Sequence, residues 1–180
     1  MVIDTHAHML PLTIDTERIS KVAAYCYNTY GPGARGGGVQ VSLDEIKTRL
    51  ESYVPDPHGE KLMERMSREG IDVTVLVVMD DLELGKNDNE ILSDNRICAD
   101  IAKGSKGKII SLAGVDPRRK NAPDLFRRCI EEYGMKGLKW HPDAGYYPNS
   151  PEAYAVLAVA ENSSVTDFSS SSPSLKMFLR

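Results

Sequence analysis

Short apolar runs of strand length alternate along the chain with segments whose apolar residues recur at helical spacing. The strand-like runs are Val2-Ile3, 71–79, 108–115 and 136–141. The helix-like segments after the first 57 residues are 60–69, 89–103, 122–133 and 151–161. Strands that are apolar nearly throughout and alternate with helices are typical of a parallel sheet covered on both faces. The pattern therefore predicts an α/β fold with about four parallel βα units.

Local end signals support several of these helices. Ser42 begins a capping-box pattern, so a helix is expected to start there. Apolar residues fall on one face of 60–69, which marks them as core positions, and Gly70 is the expected end of that helix. The members of that face are Leu62, Met63 and Met66. Ser150 has the character of an N-cap, with proline following it. The glycine-rich stretch 31–38 is expected to be irregular.

Two architectures accommodate four parallel βα units: an open doubly wound sheet, and part of an eight-stranded (β/α)8 TIM barrel. No glycine-rich dinucleotide fingerprint follows a strand, so the doubly wound alternative lacks positive support. Residues 1–162 are expected to form one domain, a length sufficient for a single core. The serine-rich tail 163–180 is expected to be irregular and to contain no strand.

Charge and cysteine content narrow the class of protein. The formal net charge is −4 and the longest basic cluster is 118–120, which argues against a nucleic-acid partner. No apolar stretch is long enough to span a bilayer, so no membrane association is expected. Cys26, Cys98 and Cys129 are far apart and odd in number, which favours reduced thiols over a disulfide scaffold. No signal peptide is recognisable, and a cytoplasmic location is the expectation.

His6 and His8 are the strongest candidates for chemistry. They follow the first apolar run directly, and residues two apart on a strand point to the same face. Both imidazoles are therefore expected to leave the end of the first strand side by side, where one divalent cation can be held between them. Imidazole suits zinc, and also iron, nickel or copper. Zinc is the first choice for the cofactor.

Three segments resemble the amidohydrolase superfamily, in the branch that includes aminocarboxymuconate-semialdehyde decarboxylase. They are Val2-Ile3-Asp4-Thr5-His6-Ala7-His8, 113–119, and 136–142 with the turn 146–149. The resemblance implies a barrel with a single metal, held by the HxH pair, a histidine ending the fifth strand and an aspartate ending the eighth. His6 and His8 match the first two ligands. No histidine follows His141, so we expect the chain to correspond to the N-terminal half of such a barrel.

Lys139 and His141 lie two apart near the end of the fourth strand, so both are expected to face the barrel interior. His141 is a candidate for a catalytic or substrate-binding role, with an ordinary structural role as its alternative. Lys139 is a candidate substrate-binding residue, with a structural ion pair as its alternative.

Other polar residues at the strand ends have plainer explanations. Asp116 and Arg118 fit a turn better than a substrate contact, and Asp80 and Asp81 fit a solvated loop. His58 is expected to be a surface cap before a helix. None of these residues is assigned to the site.

These expectations lead to three alternative functions. The first is a hydrolase that acts on a small-molecule substrate through a metal-activated water and is incomplete as a half-barrel. The alternative is a metal-dependent non-oxidative decarboxylase of an unsaturated carboxylic acid. A third, of another class, is a non-catalytic half-barrel that pairs with a copy of itself or with another chain, because open sheet edges favour association. With two of at least three usual ligands, the chain is expected to bind metal weakly and to show no turnover.

Overall fold

A computed structural model describes residues 1–8, 16–30, 42–52, 55–163 and 166–169. The strands are β1 (Ile3–His8), β2 (Val73–Val77), β3 (Ile109–Gly114), β4 (Gly137–Trp140) and β5 (Thr166–Ser169). The helices are α1 (Thr16–Tyr30), α2 (Leu43–Glu51), α3 (Glu60–Glu69), α4 (Asp88–Gly104), α5 (Ala122–Glu131) and α6 (Pro151–Asn162). Short 3-10 helices, Leu82–Leu84 and Pro142–Ala144, follow β2 and β4.

The described strands form one five-stranded sheet in the order β1-β2-β3-β4-β5, and every neighbouring pair is parallel. The prediction of an α/β fold with parallel βα units is confirmed. The fifth strand corrects the expectation for the serine-rich tail. Gly137 to Trp140 pair with Thr166 to Ser169, so the edge of β4 orders a segment whose own composition gives no strand signal.

The chain divides into two compact units, residues 1–9 with 56–180 and residues 10–55. The second unit contains α1 and α2, and α2 begins with the predicted capping box at Ser42. The predicted irregular stretch 31–38 lies outside the described residues. The domain boundary expected at residue 162 stays a prediction.

Alternation along the strands separates two faces of the sheet. One face carries Leu76, Ala113, Leu138 and Trp140, which pack with α3 to α6 in the main core. The opposite face carries a smaller apolar cluster, made by Val77 and Leu112 with Val75 against them. Because successive strand residues alternate, Lys139 belongs to this second face, between two residues of the main core. The second face is where the candidate site forms.

Helix ends follow the predicted signals in most places. Gly70 adopts the left-handed conformation (φ 68°) that ends α3, and the Ser150 side chain accepts the backbone N–H of Ala153 at the start of α6. Met66 is buried, and Leu62 and Met63 pack partly against the core, as their helical spacing predicts. Among the described helices, none has the length and apolar character needed to cross a membrane.

The three cysteines are free thiols. Burial raises the pKa of Cys98 and of Cys129 to about 12, so both thiols stay protonated near neutral pH. They behave as small apolar core residues, which agrees with the expectation of a chain without disulfides.

Candidate active site

The two histidines of β1 lie on the same side of the strand. Their Nε2 atoms are 2.7 Å apart, and the ring centroids are 4.6 Å apart with the planes tilted by 60°. The carboxylate of Asp4 accepts the backbone N–H of His6, within a segment where the pairing register with β2 shifts. The side-by-side arrangement expected from strand alternation is therefore present, at the end of the strand where barrel enzymes place catalytic groups.

Both imidazoles are held in the neutral form near pH 7. Burial lowers the pKa of His8 to about 4, with further contributions from His6, Lys139 and His141. Burial and the charge of Lys139 also lower the pKa of His6, while Asp4 opposes the shift. A neutral imidazole has a lone pair to offer, which is the form that a metal ion requires.

The end of β4 lies beside this pair. Lys139 is only 3% exposed, and its Nζ donates to the backbone carbonyl of Trp140 at 2.9 Å. The charge of Lys139 lowers the pKa of both β1 histidines, and His141 lowers the pKa of His8. The ends of β1 and β4 are therefore close enough for their side chains to interact electrostatically. The structure thus brings together the four residues that the sequence singled out: His6, His8, Lys139 and His141. The roles of these residues stay predictions.

The donor set fits a divalent cation in its chemistry. Two neutral imidazole nitrogens converge, and imidazole is a common ligand of zinc and other transition metals. Within the described parts of the chain, no group of three or more histidine, cysteine or acidic side chains could hold a metal ion. His6 and His8 therefore supply two ligands of a site that normally needs at least three.

His58 lies apart from the site, and it is not the cap of its helix. Its side chain is exposed, and the N-cap of α3 is Gly59. The first turn is instead stabilised by Asp56, whose carboxylate accepts the backbone N–H of Leu62 at 2.9 Å. The expectation of a surface position is confirmed, and the capping role belongs to the aspartate.

A buried ion pair connects the loops that follow β2 and β3, next to the site. Asp80, in the loop after β2, receives two hydrogen bonds from the guanidinium of Arg119, at 2.6 and 2.7 Å. Arg119 also donates to Asp88 at the start of α4 and to the carbonyl of Lys86. Both charged side chains are almost fully buried. The expectation of a solvated loop is therefore wrong for Asp80.

Arg118 makes a second ion pair beside the first, just after the end of β3. It bonds Asp116 through two guanidinium nitrogens and its backbone N–H, which explains the turn predicted after β3. Its guanidinium also lies 5.4 Å from the ring centre of Tyr146. Tyr146 accepts the backbone N–H of His141 at 2.7 Å. Sequence reasoning treated 146–149 only as a turn, so this link to His141 was missed.

Asp81 is buried beside that pair, with a raised pKa. Burial is the largest cause, and the backbone N–H of Glu83 and the charge of Arg118 only partly offset it. Its Oδ1 accepts the Glu83 N–H at 2.9 Å, and its Oδ2 is buried without a hydrogen-bond partner. The side chain is 2% exposed, so the predicted solvation is absent here too.

Replacing Asp81 with asparagine is expected to leave the protein at least as stable as the wild type near neutral pH. A carboxyl whose folded pKa is raised loses stability as the pH rises above its unfolded value of 3.8 and through the folded value. Asparagine keeps the acceptor for Glu83 and removes the buried charge. Any gain, about 1.4 kcal/mol for each unit by which the pKa is raised, should vanish towards pH 4.

Thermal unfolding of this variant near neutral pH and at about pH 4 measures the effect. Asp124→Asn is the control, because Asp124 is 74% exposed in its pair with Arg127. A lower stability of Asp81→Asn near neutral pH would show that the charged carboxylate is favoured in the fold.

Comparison with known proteins detects similarity at the level of structure only. No family model matches the sequence, and no curated protein matches it significantly. Among solved structures, a 5-carboxyvanillate decarboxylase from Novosphingobium aromaticivorans, with bound manganese and 3-methoxy-4-hydroxy-5-nitrobenzoic acid, is similar with a TM-score of 0.63 at 18% identity. The match covers 93% of this chain and 49% of that one.

Two further structures show the same relation. A 4-oxalomesaconate hydratase from Rhodopseudomonas palustris matches with a TM-score of 0.54 at 16% identity, over 93% of this chain and 51% of that one. A protein described as amidohydrolase II matches with a TM-score of 0.59 at 17% identity, over 94% and 50%. This chain spans about half the length of each of the three proteins, and its parallel α/β fold is that of half of a (β/α)8 barrel.

Proposed function

We propose that the chain carries the HxH half of a divalent-metal site in a barrel enzyme that acts on small carboxylic acids. The observation that carries this proposal is the convergence of the His6 and His8 Nε2 atoms at the end of β1, with Lys139 and His141 beside them. Neutral imidazoles support metal binding. Across the described ranges no group of three or more histidine, cysteine or acidic side chains could hold the ion, so the two imidazoles need at least one further ligand.

Non-oxidative decarboxylation is the first candidate reaction. The buried ammonium of Lys139 beside the histidines favours an anionic group, and the most similar of the three reported structures holds a nitrobenzoic acid in a decarboxylase. A bound divalent metal would polarise an oxygen of the substrate. The bond between the carboxyl carbon and the substrate breaks, carbon dioxide leaves, and the electron pair stays on the substrate carbon. That carbon takes a proton, for which His141 is the candidate donor.

Hydrolysis, the first expectation from sequence, is the second candidate. Its support is the similarity to a structure described as amidohydrolase II. The same four side chains would bind and orient a substrate with a scissile C–N or C–O bond, since one such platform serves several chemistries. The assembly of half-barrels is a third proposal, and it predicts a stable dimer in light scattering.

Replacing His6 or His8 with alanine is expected to lower the affinity for Mn²⁺ or Zn²⁺ by at least about tenfold, the lower end of what losing even an indirect metal contact costs. The wild-type affinity itself is expected to be weak, because the described part of the chain offers two ligands. Calorimetric titration with each metal measures this. His58→Ala is the matched control, since it removes an exposed imidazole outside the site.

Equal loss of affinity in His58→Ala, or unchanged affinity in both β1 variants, would contradict the metal site. With two metal ligands the chain is expected to show no turnover. Carbon dioxide release from hydroxybenzoates by the metal-loaded chain would contradict that expectation and favour the decarboxylase, and hydrolysis of simple esters or amides would favour the hydrolase. Zinc remains the prediction from sequence, and manganese is the metal bound in the similar decarboxylase. The titration compares both.

A further inference from the structure

Tyr146 connects the end of β4 to the loop that follows it. Its side chain is 6% exposed, and its hydroxyl oxygen accepts the backbone N–H of His141 at 2.7 Å. His141 lies just beyond β4, at the N-cap of the 3-10 helix Pro142–Ala144. The hydroxyl therefore accepts the backbone N–H of the first residue beyond β4, where hydrogen bonds between strands no longer fix the backbone.

The ring of Tyr146 is held on more than one side. Trp140 meets it edge-on, with centroids 6.1 Å apart and planes at 77°. Arg118 lies 5.4 Å from its centre, and that guanidinium is itself anchored by two hydrogen bonds to the fully buried Asp116. Because Asp116 follows β3 and Trp140 ends β4, the ring is fixed by two neighbouring strands.

We propose that Tyr146 is a positioning residue whose hydroxyl sets the backbone at His141 and thereby aims the His141 imidazole towards His8. The inference rests on the proposed function, in which His141 works next to a metal held by His6 and His8. A residue that acts through a backbone hydrogen bond in this way touches neither metal nor substrate, and misplacement of about 1 Å at a reacting group is enough to cost activity.

The test uses the full chain with Tyr146→Phe, which removes the hydroxyl and keeps the ring against Trp140 and Arg118. Tyr147→Phe is the matched control, because it makes the same chemical change at the neighbouring tyrosine, whose side chain is 77% exposed. Thermal unfolding confirms that both variants are folded before the site is compared. The chain has four histidines, so ring signals from labelled histidine can be assigned one by one, with His58 as an internal reference.

The first readout needs no metal. The His141 backbone N–H should exchange roughly five- to tenfold faster in Tyr146→Phe, as expected for the loss of one hydrogen bond. In addition, the ring signals of His141 should shift when His8 is replaced by alanine. This response should be lost when His8→Ala is combined with Tyr146→Phe, and kept when it is combined with Tyr147→Phe. A purely structural role would change the exchange rate and leave the response of the ring unaltered.

The second readout adds Mn²⁺ alone, which broadens signals close to it. In the wild type the broadening should be strongest for His6 and His8, intermediate for His141 and weakest for His58. In Tyr146→Phe the broadening of His141 should fall several-fold, while that of His6 and His8 is unchanged. If Mn²⁺ fails to broaden His6 and His8 in the wild type, the proposed metal site is wrong, and the metal-free readout still decides the role of Tyr146.

The inference is overturned if the His141 ring responds to His8→Ala equally with and without the Tyr146 hydroxyl. A wild-type His141 ring that does not respond to His8→Ala at all overturns it as well, because the ring would then not be aimed at His8. Equal effects of Tyr146→Phe and Tyr147→Phe on the ring signals would lead to the same conclusion.

Discussion

Arg119→Met is expected to lower the free energy of unfolding by about 3–5 kcal/mol, the cost of leaving one partner of a buried ion pair without the other. The Asp80 carboxylate would keep the backbone N–H of Asp116 as a donor and lose both bonds from the guanidinium. Methionine keeps much of the side-chain volume, so the loss reports the unpaired charge rather than a cavity. Urea-induced unfolding measures the change.

Arg128→Met provides the comparison, because Arg128 pairs with Glu132 on the surface, where the side chains are 46% and 53% exposed. Such an exposed pair contributes little to stability, so Arg128→Met should leave the unfolding transition almost unchanged. Combining Arg119→Met with Asp80→Asn should recover much of the lost stability, since the buried charge is then removed. If the double variant is as unstable as Arg119→Met, the additional bonds of Arg119 to Asp88 and the Lys86 carbonyl carry the effect instead.

Gly114→Ala is expected to lower the free energy of unfolding by about 1–3 kcal/mol or more, at the end of β3. A Cβ at this position would lie 2.2 Å from the backbone carbonyl oxygen of Val78, an atom that cannot rotate away. The backbone N–H and C=O of Gly114 are also bonded to the side chain of the fully buried Asn95. The strand is thus held from both sides and has little freedom to relax.

Gly104→Ala is the control for this substitution. Gly104 is the last residue of α4, and an added Cβ there would meet no atom within 4 Å. Because alanine is favoured over glycine in a helix, this variant should gain up to about 0.5–1 kcal/mol. Both variants carry the same glycine-to-alanine change. A difference between their thermal unfolding therefore reports how closely β3 approaches the backbone of Val78. Comparable stability of both variants would contradict the close approach.

Arg119→Met and Gly114→Ala both probe the strand ends beside which the candidate site is built. Asp80 and Gly114 follow or end the two strands between β1 and β4, and they connect these strands to each other and to α4. The histidine pair can act as a rigid donor set only if the neighbouring strand ends stay in register. Because the hydrogen bonds of the Arg119 guanidinium go to Asp80, Asp88 and the Lys86 carbonyl, we expect Arg119→Met to weaken metal binding through loss of folded protein and not at the histidines themselves.

The local pattern of the sequence determined the elements and the candidate pair. Apolar runs and helical spacing predicted β2 to β4 and α3 to α6 closely, because each signal is contained in a few consecutive residues. The same is true of the caps at Ser42 and Ser150. The common side of His6 and His8 followed from strand alternation alone, which depends only on their separation by two.

Tertiary structure decided what depends on partners distant in the chain. Arg119 and Asp80 are separated by 39 residues, and their pairing requires the ends of β2 and β3 to be adjacent. The strand Thr166–Ser169 forms against the edge of β4, although its own residues give no strand signal. Tyr146 reaches the backbone of His141 because two strands hold its ring. Sequence patterns report local preference, whereas these contacts arise from the register of the sheet, which only the folded chain defines.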